Sequence, residues 1–125
     1  MKRDWSIIRQ ILEAIEAHEY TGDWVQLNSL VHIDGAVAVY HLTLLEERNL
    51  IIGRNRGLVG AAPGLSTFHV ERMTWEGHDL LDTMRSQGLW NRITDKSKEL
   101  GVELTLDSIH RLKDLAWTTL MTAGS

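Results

Sequence analysis

The stretch AVAVYHLTLLEERNLIIGRNRG, Ala36 to Gly57, changes its repeat midway. As far as Arg48 its apolar residues recur at helical spacing. From Leu50 onward they follow one another in the apolar, β-branched manner of a strand. Between the two stands Asn49, a residue type that tolerates left-handed backbone and can end a helix in place of glycine. A helix that passes straight into a strand needs a second strand close by, because an unpaired strand leaves its backbone groups unsatisfied. The segment TFHVERMTW, Thr67 to Trp75, supplies one, and the intervening LVGAAPGLS is rich in small residues suited to a long tip. Residues 50–56 and 67–73 are therefore expected to form an antiparallel hairpin.

The rest of the chain reads as helices. Asp4 can cap a first helix in which Trp5, Ile8, Leu12 and Ile15 recur on one side, ending near His18. GDWVQLNSLVHIDG then fits either a short strand with a turn or a short helix; its periodicity does not decide. Asp34 caps the helix of the opening stretch, and Thr74 caps one whose stripe is Leu80, Leu81 and Met84, with Gly88 as its stop. LWNRITDKSKELG makes a shorter helix that ends at Gly101. Thr105 opens the last, with Ile109, Leu112, Ala116 and Leu120 along one face. The expected fold class is mainly α with a small β-hairpin. Residues 1–88 form the body, and residues 89–125 a helical extension packed on it as one compact unit.

A chain of 125 residues supports one such core. Five tryptophans (5, 24, 75, 90 and 117) are expected as anchors spread through it. With no cysteine there are no disulfides, thiolate metal sites or thiol catalysis. No stretch approaches the roughly 20 apolar residues of a membrane span, and no apolar run of signal-peptide length follows MKRDWSII. A cytoplasmic setting with no membrane association is expected.

The phrases YHLTLLEERNLI and RMTWEGHDLLDTMR carry a resemblance. The first resembles the recognition-helix phrase of arsenic-repressor-type and MarR-type winged helices. The second resembles their L-T-x-x-G phrase, where the return strand of the wing meets the next helix. Together with the opening MKRDW and LWNRITDK, they are similar to a family of small uncharacterised bacterial and phage proteins, a domain of unknown function. That likeness runs from Met1 to about Leu112. It implies a winged helix-turn-helix with added C-terminal helices, in a phage or prophage setting. The family's usual glycine at the helix stop is replaced here by Asn49.

The likeness implies no known activity; the first expectation is a small phage- or prophage-type DNA-binding transcriptional regulator that binds DNA as a dimer through this helix and wing. On a helical wheel Ala38, Leu42 and Leu45 form the core face, with His41 at its margin. The opposite face offers Ala36, Val39, Tyr40, Thr43 and Glu47, and Val37, Tyr40 and Leu44 make a second apolar row. A groove-reading helix normally presents arginine, lysine, asparagine or glutamine. This one has a tyrosine, a threonine and a carboxylate, so either it reads bases or another helix or subunit covers it. Four arginines (48, 54, 56 and 72) against one acid, Glu71, lie between Arg48 and Arg72 in a chain of net charge −4. They either clamp duplex DNA phosphates or solvate a hairpin edge. The DNA-binding candidates are Tyr40, Thr43, Arg48, Arg54, Arg56 and Arg72. The alternative is a non-enzymatic protein-interaction module, an inhibitor or adaptor, that grips a protein partner through Val37, Tyr40 and Leu44.

GLVGAAPG lacks the lysine and the βαβ setting of a phosphate loop. The six histidines include no ligand pair at i, i+4, so no metal and no cofactor is expected. Glu76, His78 and Asp79 lie together, but acids in a first helical turn answer to the helix dipole. No catalytic set emerges. A homodimer formed through the terminal helices is the expected assembly.

Overall fold

The computed structural model describes residues 1–25, 27–30, 32–55 and 68–123. Its contacts divide the chain into two compact units, Met1–Leu81 and Asp82–Ser125. The protein is mainly helical, with a two-stranded antiparallel hairpin.

The first unit opens with helix α1, Trp5–Ala17. The Asp4 carboxylate caps it, accepting from the amides of Ser6 at 2.9 Å and Ile7 at 3.4 Å. A cap of this kind contributes about 1 kcal/mol. Burial of Ile8, Ile11, Leu12 and Ile15 contributes roughly 1.5–3 kcal/mol for each side chain, so packing rather than capping holds α1 in place. Trp5, placed with that stripe by its spacing, is only half-buried.

The ambiguous segment contains both alternatives in miniature. Val25 donates to the Val70 carbonyl at 2.7 Å in an isolated antiparallel bridge, and Asn28–Leu30 follow as a single 3-10 turn. Helix α2, Gly35–Glu47, starts on the Asp34 cap, whose carboxylate accepts from the Ala36 amide at 3.0 Å. It buries Ala38, Val39, His41, Leu42 and Leu45. Two expectations are corrected here. His41 lies in the core at 1% exposure rather than at its margin, and Val39, assigned to the outward face, is buried as well.

The reason for the buried histidine is visible in its partners. His41 Nδ1 lies 2.8 Å from the Val37 carbonyl, and its Nε2 accepts from the Asp4 amide at 2.9 Å. Those partners assign a neutral ring with its proton on Nδ1. A buried polar group is tolerated when both nitrogens are satisfied, and this one ties the start of α1 to the middle of α2.

Helix α2 ends at the Arg48 cap, and Asn49 takes the left-handed conformation at φ 57°. Strand β1, Ile51–Asn55, then pairs with β2, Phe68–Met73, with an irregularity between Ile52 and Gly53. Because β2 also bonds Val25, it lies between β1 and the N-terminal segment at that point.

Helix α3, Trp75–Arg85, is joined to this hairpin by Thr74. The Thr74 hydroxyl donates to the Asn49 carbonyl at 2.7 Å and accepts from the Gly77 amide at 3.1 Å, while its own amide donates to Leu50 O at 3.0 Å. Here lies the physical content of the T-x-x-G phrase. A side chain at position 77 would run into the Leu50 carbonyl, so only glycine lets α3 start this close to β1.

In the second unit, α4, Gln87–Leu100, and α5, Leu106–Ala123, form a helical pair. Gly101 in the left-handed conformation (φ 68°) ends α4 as expected. Gly88, by contrast, is not a stop: α3 ends at Arg85, Ser86 makes the break, and Gly88 sits in the first turn of α4. Thr105 and Ser108 cap α5 reciprocally. The Thr105 amide donates to Ser108 Oγ at 2.7 Å and the Ser108 amide to Thr105 Oγ1 at 3.1 Å. Leu89, Ile93, Ile109, Leu112 and Ala116 are buried.

The tryptophans depart most from expectation. None of the five is fully buried, and Trp24, Trp75 and Trp117 are exposed. The core among the described residues is built instead mainly from isoleucine, leucine, valine and methionine, with Phe68 as its one buried aromatic of the Phe, Trp and Tyr type. No helix among the described residues is long and apolar enough to cross a membrane.

Candidate functional site

Tyr40 is half-buried, with its ring edge-on to that of His41 at 5.4 Å. Thr43 is half-buried too, and its hydroxyl donates to the Val39 carbonyl one turn back at 2.8 Å, so its proton is already committed. Val37 and Leu44, the rest of the second apolar row, are half-buried. The exposed end of α2 carries Glu46 and Glu47 beside Arg48.

On the hairpin, Arg54 is exposed on β1 opposite His69, and Arg72 is exposed on β2 opposite Ile52. The register therefore sets the two arginines diagonally on one ladder. Arg72 Nη1 donates to the neighbouring Met73 carbonyl at 3.2 Å. Arg56 lies outside the described residues. His69 lies under Trp24, ring centroids 5.2 Å apart, and its Nδ1 is buried without a hydrogen-bond partner among the described residues.

A cleft of about 410 Å³ lies elsewhere in the first unit. Ile15, Glu16 and His18 at the end of α1 form one side, Tyr20 and Val25 a second, Glu71–Met73 of β2 a third, and Trp75 and His78 of α3 the last. Trp75 is 79% exposed and Tyr20 62% exposed. His78 Nδ1 stands 4.0 Å from a Glu16 carboxylate oxygen. His18 Nε2 is buried, again with no hydrogen-bond partner among the described residues. Sequence reasoning missed this cleft because it treats tryptophan as core. The available signal was the position of Trp75 directly after a helix cap, where side chains usually face solvent. Among the described residues, no three histidines, aspartates or glutamates cluster as metal ligands.

Residues 2–103 match the family described as hypothetical protein (DUF2513), and the chain belongs to that family. A curated relative, an uncharacterized protein of Haemophilus influenzae, is 28% identical over 112 residues, covering 90% of this chain and 92% of the relative. No solved structure matches the chain.

Proposed function

We propose that the first unit works as a winged helix-turn-helix module and that the protein is a non-enzymatic DNA-binding regulator. The observation that carries the reading is the order α1, bridge, short turn, α2, β1, β2, in which an isolated bridge sets Val25 against Val70 of the hairpin. In a winged helix-turn-helix that order makes α2 the recognition helix and the hairpin the wing. Arg48, Arg54 and Arg72, all exposed, supply the phosphate contacts. The Tyr40 hydroxyl is the base-edge contact from α2, and Thr43 adds only an acceptor.

This division of labour makes affinity depend mainly on backbone charge. Three phosphate contacts for each chain give a log–log salt slope of about −2.7, and a dimer would double it. Fluorescence anisotropy with random duplex DNA at low salt tests the reading. Binding should weaken steeply with salt, and Arg54→Ala should make the slope shallower by about 1. Absence of binding at the lowest workable salt would overturn it.

A second reading is favoured by the exposed Glu46 and Glu47, which repel phosphate at the end of α2. In that reading the same scaffold is a protein-interaction module that uses Val37, Tyr40 and Leu44, each still half-exposed to a partner. Failure to bind DNA, with loss of partner capture in Tyr40→Ala, would favour it.

A further inference from the structure

We infer that the cleft at the end of α1 is a receptor for an arginine side chain presented by a protein partner. This goes beyond the proposed DNA-binding role and does not depend on it.

The argument begins with size and aromatic exposure. A volume of about 410 Å³ lies within the range of pockets that bury a small group, and one long side chain fits inside it. Two large rings, Trp75 and Tyr20, remain mostly in water at this one place. Tryptophan and tyrosine in such positions are the residue types that most often anchor protein partners.

Charge then narrows the ligand. The carboxylates of Glu16 and Glu71 line the cleft. The last turn of α1 ends there as well, with no basic residue to offset the negative end of its dipole. His18 also lines the cleft, and its Nε2 is buried with no hydrogen-bond partner among the described residues. Against these stands one cation, Arg72, whose Nη1 already donates to Met73 O. His78 faces Glu16, and if protonated it offsets part of that carboxylate's charge.

The cleft thus presents two carboxylates and a helix C-terminus beside an exposed indole. Phosphate and carboxylate ligands are acceptors only, and inside the cleft they meet two carboxylates against the single cation Arg72. A guanidinium is the complementary group: it is planar, always charged, carries five N–H donors and no acceptor, and stacks on aromatic faces. Seated there, it stacks on Trp75 and donates to the carboxylates of Glu16 and Glu71.

The test uses the full chain, ¹⁵N-labelled, titrated with the capped tripeptide acetyl-Gly-Arg-Gly-amide. The indole N–H of Trp75 is identified by its loss in Trp75→Phe. Millimolar arginine peptide should shift that indole signal and the amides of residues 15–18 and 71–75 in a saturable way. The isosteric citrulline peptide, which keeps shape but lacks charge, should bind roughly tenfold more weakly, as should arginine peptide with Glu16→Gln/Glu71→Gln. Trp75→Ala, at an exposed position that leaves the core untouched, is a second route to the same loss. Equal binding of citrulline, tighter binding of a glutamate peptide, shifts confined to other surfaces, or no shift at all would each overturn the inference.

Discussion

Replacing Gly77 by alanine tests the joint between α2, the hairpin and α3 more sharply than any other single change. Two effects compete. Alanine is the better helix former, by up to about 1 kcal/mol in a helix interior. Against that, the new methyl group meets the Leu50 carbonyl oxygen and lies 2.5 Å from Met73 Cγ. Met73 can rotate, but a backbone carbonyl cannot, so the first turn of α3 must lift away from β1. That movement strains the Thr74 bonds to Asn49 O and Leu50 O, at 2.7 and 3.0 Å, each contributing about 1 kcal/mol net. Overpacking adds about 1–3 kcal/mol. The balance is a loss of roughly 2–4 kcal/mol, a large part of the 5–15 kcal/mol typical of a domain. Urea unfolding followed by far-UV circular dichroism reads it as a lowered midpoint. Gly88→Ala is the control, since a Cβ there meets no atom within 4 Å, and it should leave the midpoint unchanged or slightly raised. A Gly77→Ala protein as stable as the parent would refute the reasoning, because the joint would then have slack that the contacts deny.

Other outcomes follow from the same framework. His41→Ala removes a buried ring and both of its hydrogen bonds, so it should cost about 2–4 kcal/mol in the same urea assay. Asn49→Gly relieves a left-handed non-glycine residue and should be neutral or stabilising by up to about 1 kcal/mol, whereas Asn49→Val should destabilise. Trp75→Ala should change stability by no more than about 0.5 kcal/mol, because the ring is 79% exposed. Hydrogen bonds, first that from the Ser6 hydroxyl, hold the Asp4 carboxyl below its ordinary value of 3.8. A depressed folded value means stability that is present above about pH 4 and lost as pH falls through the folded value. The surface setting keeps that contribution below about 1 kcal/mol. The stability gap between parent and Asp4→Asn should therefore close in acid, as urea midpoints across that range would register.

Local rules made the helices and the hairpin legible. Asp4, Asp34, Thr74 and Thr105 all stand at helix starts, and Gly101 and Asn49 at helix ends, because capping depends on a few consecutive residues. Gly88 misled because glycine is also tolerated in a first helical turn. Burial was harder to read. Whether His41 faces water depends on Asp4, 37 positions away, which no helical wheel contains. The same holds for the candidate sites: Arg54 and Arg72 were legible as exposed hairpin cations, but their diagonal placement needs the register. The cleft draws on α1, the following loop, β2 and α3 at once, and its tryptophan is the residue type most readily assigned to a core.

The Val25–Val70 bridge gives the first unit a single amide whose protection has one meaning. Val25 belongs to no helix or strand, yet its N–H is bonded at 2.7 Å. Among the described residues no ladder bond flanks it when the segment after α1 lifts from β2, and fraying of α1 or α2 does not expose it directly. Its hydrogen-exchange rate therefore measures the parting of that segment from the hairpin. Since Val25 also lines the cleft, an occupant that braces it should slow that one amide more than those at the centre of α2.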